Sequence, residues 1–537
     1  QWNNKWTRDD ALYHEMEELE MQDAHNRDRL WVTGFSLASR NGFIKSVEVR
    51  NGHIDTINTR SESMIPWPNE VNKVPSNLVA SETHQSRVAC PQLGFPESTT
   101  QDALLVSDGF LVPGKDRGGI YVVNNPGNEK LEWSVCLTNL FEKDRWFYHR
   151  SVWVDLTGDG RKSILTARAK LRRKVGSNAA GGKGSARSQD LSEQFNDSRP
   201  KNGQLVWLEM PQPHHFDRAT GTPLEEDGTA FDPFSTRHLP WKETVLATGP
   251  DVMFAVADMD PSDDTIEVLA SEFFDKKVSL HSIQKGPVPR VTFSRDIDTQ
   301  CGAAFGGTLA DLNPTRTSHS DGLPRVIDSG STVNTLTSGD SFSHFVVTSH
   351  ECDVEKESKI ADDNKAVSTT KSDQPRGGSL FSYCVPLGKD AWKRKPWKRT
   401  TVATGFQVKS QIWNVINPGA PGFCYTFHAH KDDKSKARRP MIAVAGDCAE
   451  SAFVFRPQMT ASAGSTKNAV DPCAQYQLMC EIKCRSTVGS IAIGYEDLCG
   501  AEQESGYAKM YVPCFEKDKI LVFALGSGES ERNDSGW

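Results

Sequence analysis

Two segments more than a hundred residues apart, WKETVLATG (241–249) and WKRTTVATG (397–405), share Trp-Lys, Thr and Ala-Thr-Gly in register. Each follows a run that opens on Gly and closes on Pro eight residues later, GQLVWLEMP (203–211) and GSLFSYCVP (378–386), and GGIYVVNNP (118–126) is a third such run. A recurrent pair of β-rich segments constrains the chain to a repeated architecture. Upstream lie apolar runs with polar ends: DALLVSDGF (102–110), KSILTARA (162–169), IEVLASEFF (266–274), HFVVTSHE (344–351), PMIAVAGD (440–447) and SIAIGYED (490–497). Ahead of several stands a run closing in an Asp-rich turn: VWVDLTGDG (152–160), FAVADMDPSDD (254–264) and GGTLADLNP (306–314).

The unit therefore has four short strands. Strand a ends in the Asp turn, b in a polar cluster, c runs from Gly to Pro, and d starts at Trp and ends near Gly. Four antiparallel strands repeated with variable loops are the mark of a propeller blade. The chain is expected to be all-β, a β-propeller of six or seven blades with seven slightly favoured. Blades are placed at 90–140, 148–249, 251–300, 303–406, 412–484 and 488–525. The N-terminal strands within 31–58 complete the last blade or add a seventh, and closure by both termini would remove exposed sheet edges. Around the ring (31–525) lie an acidic helical extension (1–30), two Gly/Ser/Lys-rich insertions at b–c junctions (170–203 and 353–378), and a polar tail (526–537).

The turn VDLTGDGRKSIL alternates Asp155, Thr157 and Asp159 before Gly160, and Arg161 adds a backbone carbonyl. Alternating oxygens can converge on one cation, and calcium takes six to eight of them. The turn resembles the FG-GAP/VCBS repeat of integrin α-subunit and other secreted propellers, whose loops run Asp-x-Asp-x-Asp-Gly. That resemblance implies calcium bound by Asp155, Thr157, Asp159 and the Arg161 carbonyl. Thr157 replaces the usual central acid, and the turns at Asp258–Asp264, Asp311–Asn313 and His428–Asp433 depart further. Without metal, the same side chains would cap turn amides. His428 and His430 alternate so as to share one face, which would also suit a metal ion.

On the opposite face lie the b-strand ends, with Asp108, Arg168, Glu272, His350, Glu351 and Asp447, and near them His149, Arg150 and Trp146. His149, His350, Glu351 and Glu272 are the candidate catalytic or metal-holding groups, and Asp108, Arg150, Arg168, Asp447 and Trp146 the candidate ligand contacts. The layout resembles propeller polysaccharide lyases and sugar dehydratases, implying a carbohydrate-active enzyme as the alternative to a ligand- or protein-binding and assembly module.

The twelve cysteines, five of them crowded between Cys473 and Cys514, favour disulfides in an oxidising compartment. Sequons at Asn196 and Asn533 point the same way, to an extracellular or secretory-lumen glycoprotein. No window approaches the roughly 20 apolar residues of a membrane span. The net charge of −8 argues against a nucleic-acid partner and leaves a protein or a glycan, within a larger extracellular assembly. KARRP (437–440 with Lys436) and WKRKPWKR (392–399) are local exceptions, either exposed loop ends or contacts for acidic glycans.

Overall fold

The computed structural model describes residues 30–35, 42–50, 53–62, 65–75, 103–109, 117–124, 133–141, 145–170, 203–219, 223–314, 323–330, 336–350, 377–409, 419–458, 475–495, 506–517 and 519–526. Six antiparallel sheets stand in a ring as the blades of a β-propeller. Blade 1 comprises Pro68–Lys73, Ala103–Asp108, Ile120–Asn124 and Trp133–Cys136. Blade 2 comprises Phe147–Val154, Ser163–Ala169, Gly203–Glu209 and Lys242–Thr248. Blade 3 runs Met253–Asp258, Thr265–Glu272, Lys277–Gln284 and Arg290–Asp298. Blade 4 has Ala304–Ala310, His344–Ser349, Gly378–Cys384 and Lys398–Phe406. Blade 5 has Cys424–Phe427, Met441–Ala445, Ser451–Pro457 and Tyr476–Lys483. Blade 6 shows Ala492–Gly494, Lys509–Cys514 and Lys519–Ala524 among the described residues.

The repeat that betrayed the fold has a physical cause at each end. A Cβ on Gly203 would stand 2.4 Å from the Gly249 carbonyl oxygen, and one on Gly378 1.8 Å from that of Ala420. Each c strand thus begins where the connection to the next blade crosses it, and only hydrogen fits. Gly249 and Gly405, closing the d strands, have φ of 126° and 89°, which side chains rarely adopt. At the other end of each d strand, the buried indoles of Trp241 and Trp397 donate to the carbonyls of Pro233 (2.9 Å) and Trp392 (3.1 Å).

Burial follows position in the blade. Thr265–Glu272 is buried at every residue, because neighbouring blades cover both its faces, whereas Arg290–Asp298 at the rim alternates exposed and half-buried. Separate apolar clusters fill the seams between blades, Trp207, Phe254 and Ile266 between blades 2 and 3 for example. The inner strands of blades 1 and 2 are stitched by side chains: Asn69 and Asn72 donate to the carbonyls of Tyr148 (2.9 Å) and Ser151 (2.8 Å).

Three features differ from expectation. Blade 1 takes its inner strand from Pro68–Lys73, a polar segment without the apolar run that would flag a strand, and not from the region after residue 90. The N-terminal strands Leu30–Phe35, Gly42–Arg50 and His53–Glu62 form a three-stranded meander of their own, whose Trp31 and Ile44 pack on Leu104, Val106 and Tyr121 of blade 1. This leaves the ring at six blades, and the slight preference for seven gives way. An unforeseen short strand, Arg325–Asp328, leaves the a–b connection of blade 4 and pairs with Met253–Asp258 at the inner edge of blade 3. The acidic helical stretch 8–27, the bodies of both insertions (171–202 and 351–376) and the tail from 527 lie outside the described residues.

Candidate functional site

At the d–a and b–c face, side chains from four blades meet across the channel. The Phe305 ring is stacked between His350 (centroids 4.3 Å apart) and Phe423 (4.7 Å). His149 approaches Phe305 and Phe423 edge-on at 5.9 and 5.6 Å, and Phe273 meets His350 at 5.4 Å. Burial drives both imidazoles to about 4, so both are neutral at pH 7. His350 donates from Nδ1 to the Pro421 carbonyl at 2.7 Å, which leaves Nε2 as the acceptor, 3.8 Å from Asp447 Oδ2. Burial raises the Asp447 carboxyl to about 7, against a hydrogen bond from the Cys448 thiol.

His149 and His350 are therefore brought to one aromatic stack. Glu272 is not: it turns into its own blade, accepting from Ser279 Oγ and standing 3.7 Å from both Lys277 Nζ and His281 Nε2. Glu351 and the sequons at Asn196 and Asn533 lie outside the described residues. Among the described residues no three His, Cys, Asp or Glu side chains are grouped to hold a metal ion.

Three of the candidate ligand contacts bond within the protein. Asp108 accepts from the Trp67 amide at 2.6 Å. Arg150 lies at the channel wall, fully buried, bonded to Glu70 of blade 1 and to Asp328 of the inserted strand. Arg168 covers the Trp146 ring at 4.3 Å and binds Glu243 at 2.6 Å and Tyr148 Oη at 3.1 Å. Sequence reasoning missed Glu70 and Asp328, whose role depends on a strand with no apolar signature. It also missed Phe305 and Phe423, which sit at strand starts outside the polar ends that drew attention.

The turn at Asp155 uses its carboxylates as caps. Asp155 Oδ1 accepts from the amides of Thr157 (3.1 Å) and Gly158 (2.8 Å), and Oδ2 from the amide of Gly160 (2.9 Å). Asp159 accepts from Thr157 Oγ1 (2.7 Å) and the Arg161 amide (3.0 Å), and the Arg161 guanidinium closes on its Oδ2 at 2.5 Å. Against a burial penalty, the bonds from Arg161 and Thr157 hold the Asp159 carboxyl below its usual range. The oxygens of the turn face amides, and Arg161 supplies the positive charge, which is the capping role of these side chains. Asp260 and Asp311 cap Ser262 and Asn313 amides in the same manner. Asp155→Ala is expected to cost about 1 kcal/mol, as for a lost capping residue. That cost should be the same in calcium and in chelator when urea midpoints are compared. His428 and His430 part ways: His430 accepts from the Asp432 amide at 3.2 Å, while burial lowers the His428 imidazole to about 4.

The face bearing these turns also carries the basic loops. In the c–d connection of blade 4, Lys389, Arg394, Lys395, Lys398 and Arg399 are exposed, and Lys393 is half-buried. The connection is held in shape by Arg295 of blade 3, which donates to the carbonyls of Trp392 (3.1 Å), Lys393 (2.8 Å) and Lys395 (3.0 Å). The a–b connection of blade 5 adds exposed Lys431, Lys434, Lys436 and Arg438, and Lys434 Nζ bonds Asp340 of blade 4 at 2.7 Å. Beside it, Arg456, Pro457, Gln458 and Gln477 line a depression of about 400 Å³. No protein-family model and no curated protein matches the chain, so the likeness to FG-GAP/VCBS repeats rests on the turn residues alone.

Proposed function

We propose that this propeller is a binding module, working outside the cell or in the secretory lumen, that holds an acidic glycan on the a–b and c–d face of blades 4 and 5. One observation carries the reading: a dense basic surface on a chain of net charge −8. Lys395 and Lys436 lie in no ion pair among the described residues, and Lys389 acts on Asp260 only at longer range, so all three present charge to a ligand. Lysine point charges suit the repeated sulfates or carboxylates of a polysaccharide. Single-stranded nucleic acid would want exposed rings for stacking, and Trp392 and Trp397 are buried.

The test is binding to heparin, a sulfated polysaccharide, as a function of salt. Binding should weaken as salt rises. The variant Lys389→Glu/Lys395→Glu/Lys436→Glu should bind at least tenfold more weakly with an unchanged melting temperature. An unaffected variant, or no binding at 50 mM salt, refutes the reading, and tighter binding of an oligothymidine would redirect it.

The His350–Asp447 pair favours a second reading, a lyase or dehydratase acting on a sugar. An imidazole with its tautomer fixed beside a carboxyl titrating near 7 is equipped to move a proton. Polyuronide cleavage followed by the ultraviolet absorbance of the unsaturated product should then be abolished in His350→Ala. Its absence in the wild type disposes of this alternative.

A further inference from the structure

We propose that Cys484 and Cys514 form a disulfide that bolts blade 5 to blade 6. Cys484 directly follows the outer strand Tyr476–Lys483 of blade 5, and Cys514 ends the strand Lys509–Cys514 of blade 6. Both are buried in the apolar cluster between these blades, with Val454, Val488, Ile491 and Val512. Their thiols are free and side by side, close enough to act on each other.

The juxtaposition is built by the flanking backbone. Thr487 donates from its amide to Glu516 Oε2 (2.7 Å) and from Oγ1 to Oε1 (2.5 Å). Glu516 returns its amide to Ser486 Oγ at 3.1 Å, and Phe515 gives its amide to the Thr487 carbonyl, also at 3.1 Å. Lys517 Nζ donates to the Cys484 carbonyl itself at 2.7 Å. Five bonds thus clamp the residues after Cys484 against those after Cys514. A bond between two segments already held in register distorts little. The linked residues are thirty apart in the chain, so the loop closed in the unfolded state is long enough for cross-linking to matter.

In the reaction, each thiol loses a proton, the two sulfurs surrender two electrons, and one S–S bond forms. A disulfide of the oxidising compartment, small-molecule or protein, takes up those electrons and protons and leaves as two thiols. Burial pushes the Cys484 thiol up to about 12, which makes it a poor nucleophile once the seam has closed. The bond therefore forms while blades 5 and 6 are assembling, and the folded seam then shields it from reduction.

The experiment is peptide mapping of the full chain, refolded in a glutathione redox buffer, digested without reduction, with free thiols alkylated beforehand under denaturing conditions. A linked pair of peptides carrying Cys484 and Cys514 is expected, at a mass two hydrogens below their sum. Recovery of both residues alkylated, or of either joined to Cys473, Cys480 or Cys499, overturns the proposal. The variant Cys484→Ser/Cys514→Ser gives the second readout. It should melt about 5 °C below oxidised wild type and within error of reduced wild type. Should the variant fail to fold, the wild-type map still decides.

Discussion

Arg150→Ala is expected to destabilise the propeller by about 3–5 kcal/mol, the cost typical of breaking a buried ion pair from one side. The guanidinium is wholly buried and binds two carboxylates from different parts of the ring, Glu70 at 15% and Asp328 at 27% side-chain exposure. Burial works against its charge, but the two carboxylates outweigh that and hold its pKa above the ordinary arginine value. Removal leaves Asp328 without its counter-charge, while Glu70, whose carboxyl burial already raises to about 7, takes up a proton. Urea unfolding at pH 7.5 reads the effect directly. The combination Arg150→Met/Glu70→Gln/Asp328→Asn, which removes all three charges together, should recover most of the loss. A single variant that unfolds at the wild-type midpoint would show that these charges hold nothing together.

Asp108→Asn should do the opposite, being more favourable in alkaline solution than in acid by about 4 kcal/mol. Burial raises the Asp108 carboxyl from 3.8 to about 7, against hydrogen bonds from the amides of Trp67 and Gly109. Between those values the native state keeps a proton that the unfolded state has released. Stability from this group is thus complete below pH 4 and falls as pH climbs to 7. Asparagine keeps the acceptor for Trp67 and never has to ionise, while the amide nitrogen that replaces the unpartnered Oδ2 brings buried N–H groups whose cost is the same at every pH. His149 and His350, lowered to about 4, act with the reverse sign: their contribution grows as pH rises from 4 towards 6.5. Variant and wild type must therefore be compared at each pH by denaturant unfolding. Curves that differ equally at pH 4 and pH 8 would exclude a raised carboxyl.

The architecture was legible because its repeat is written in residues with one steric solution. Gly203 and Gly378 abut a crossing backbone, Gly249 and Gly405 need positive φ, and Trp241 and Trp397 each fill one buried slot with a bonded indole. Where the fold asked only for backbone pairing, nothing was visible. Pro68–Lys73 and Arg325–Asp328 become strands because neighbouring edges recruit them, a tertiary effect that overrides weak local preference. The site was half legible for a related reason. Polar residues at b-strand ends could be named, yet whether Arg150, Arg168 or Glu272 faces a ligand or a partner inside the protein depends on residues distant in the chain. His149 and His350 do converge, through Phe305, which carries no polar signal. The basic loops were plain in the sequence, but that both lie on the face of the Asp turns follows only from the blade geometry.

Arg325–Asp328 has a consequence for how such a chain can be cut or rearranged. A modular ring invites trimming one unit at a time, with each remaining unit intact. Here the polypeptide lends part of blade 4 to its predecessor before returning to finish its own sheet. Deleting blade 4 would strip blade 3 of its innermost edge and take away one anchor of Arg150. Blades 3 and 4 are thus coupled through one strand, and a circular permutant opened between residues 298 and 304 would still be tied across the gap by its own chain.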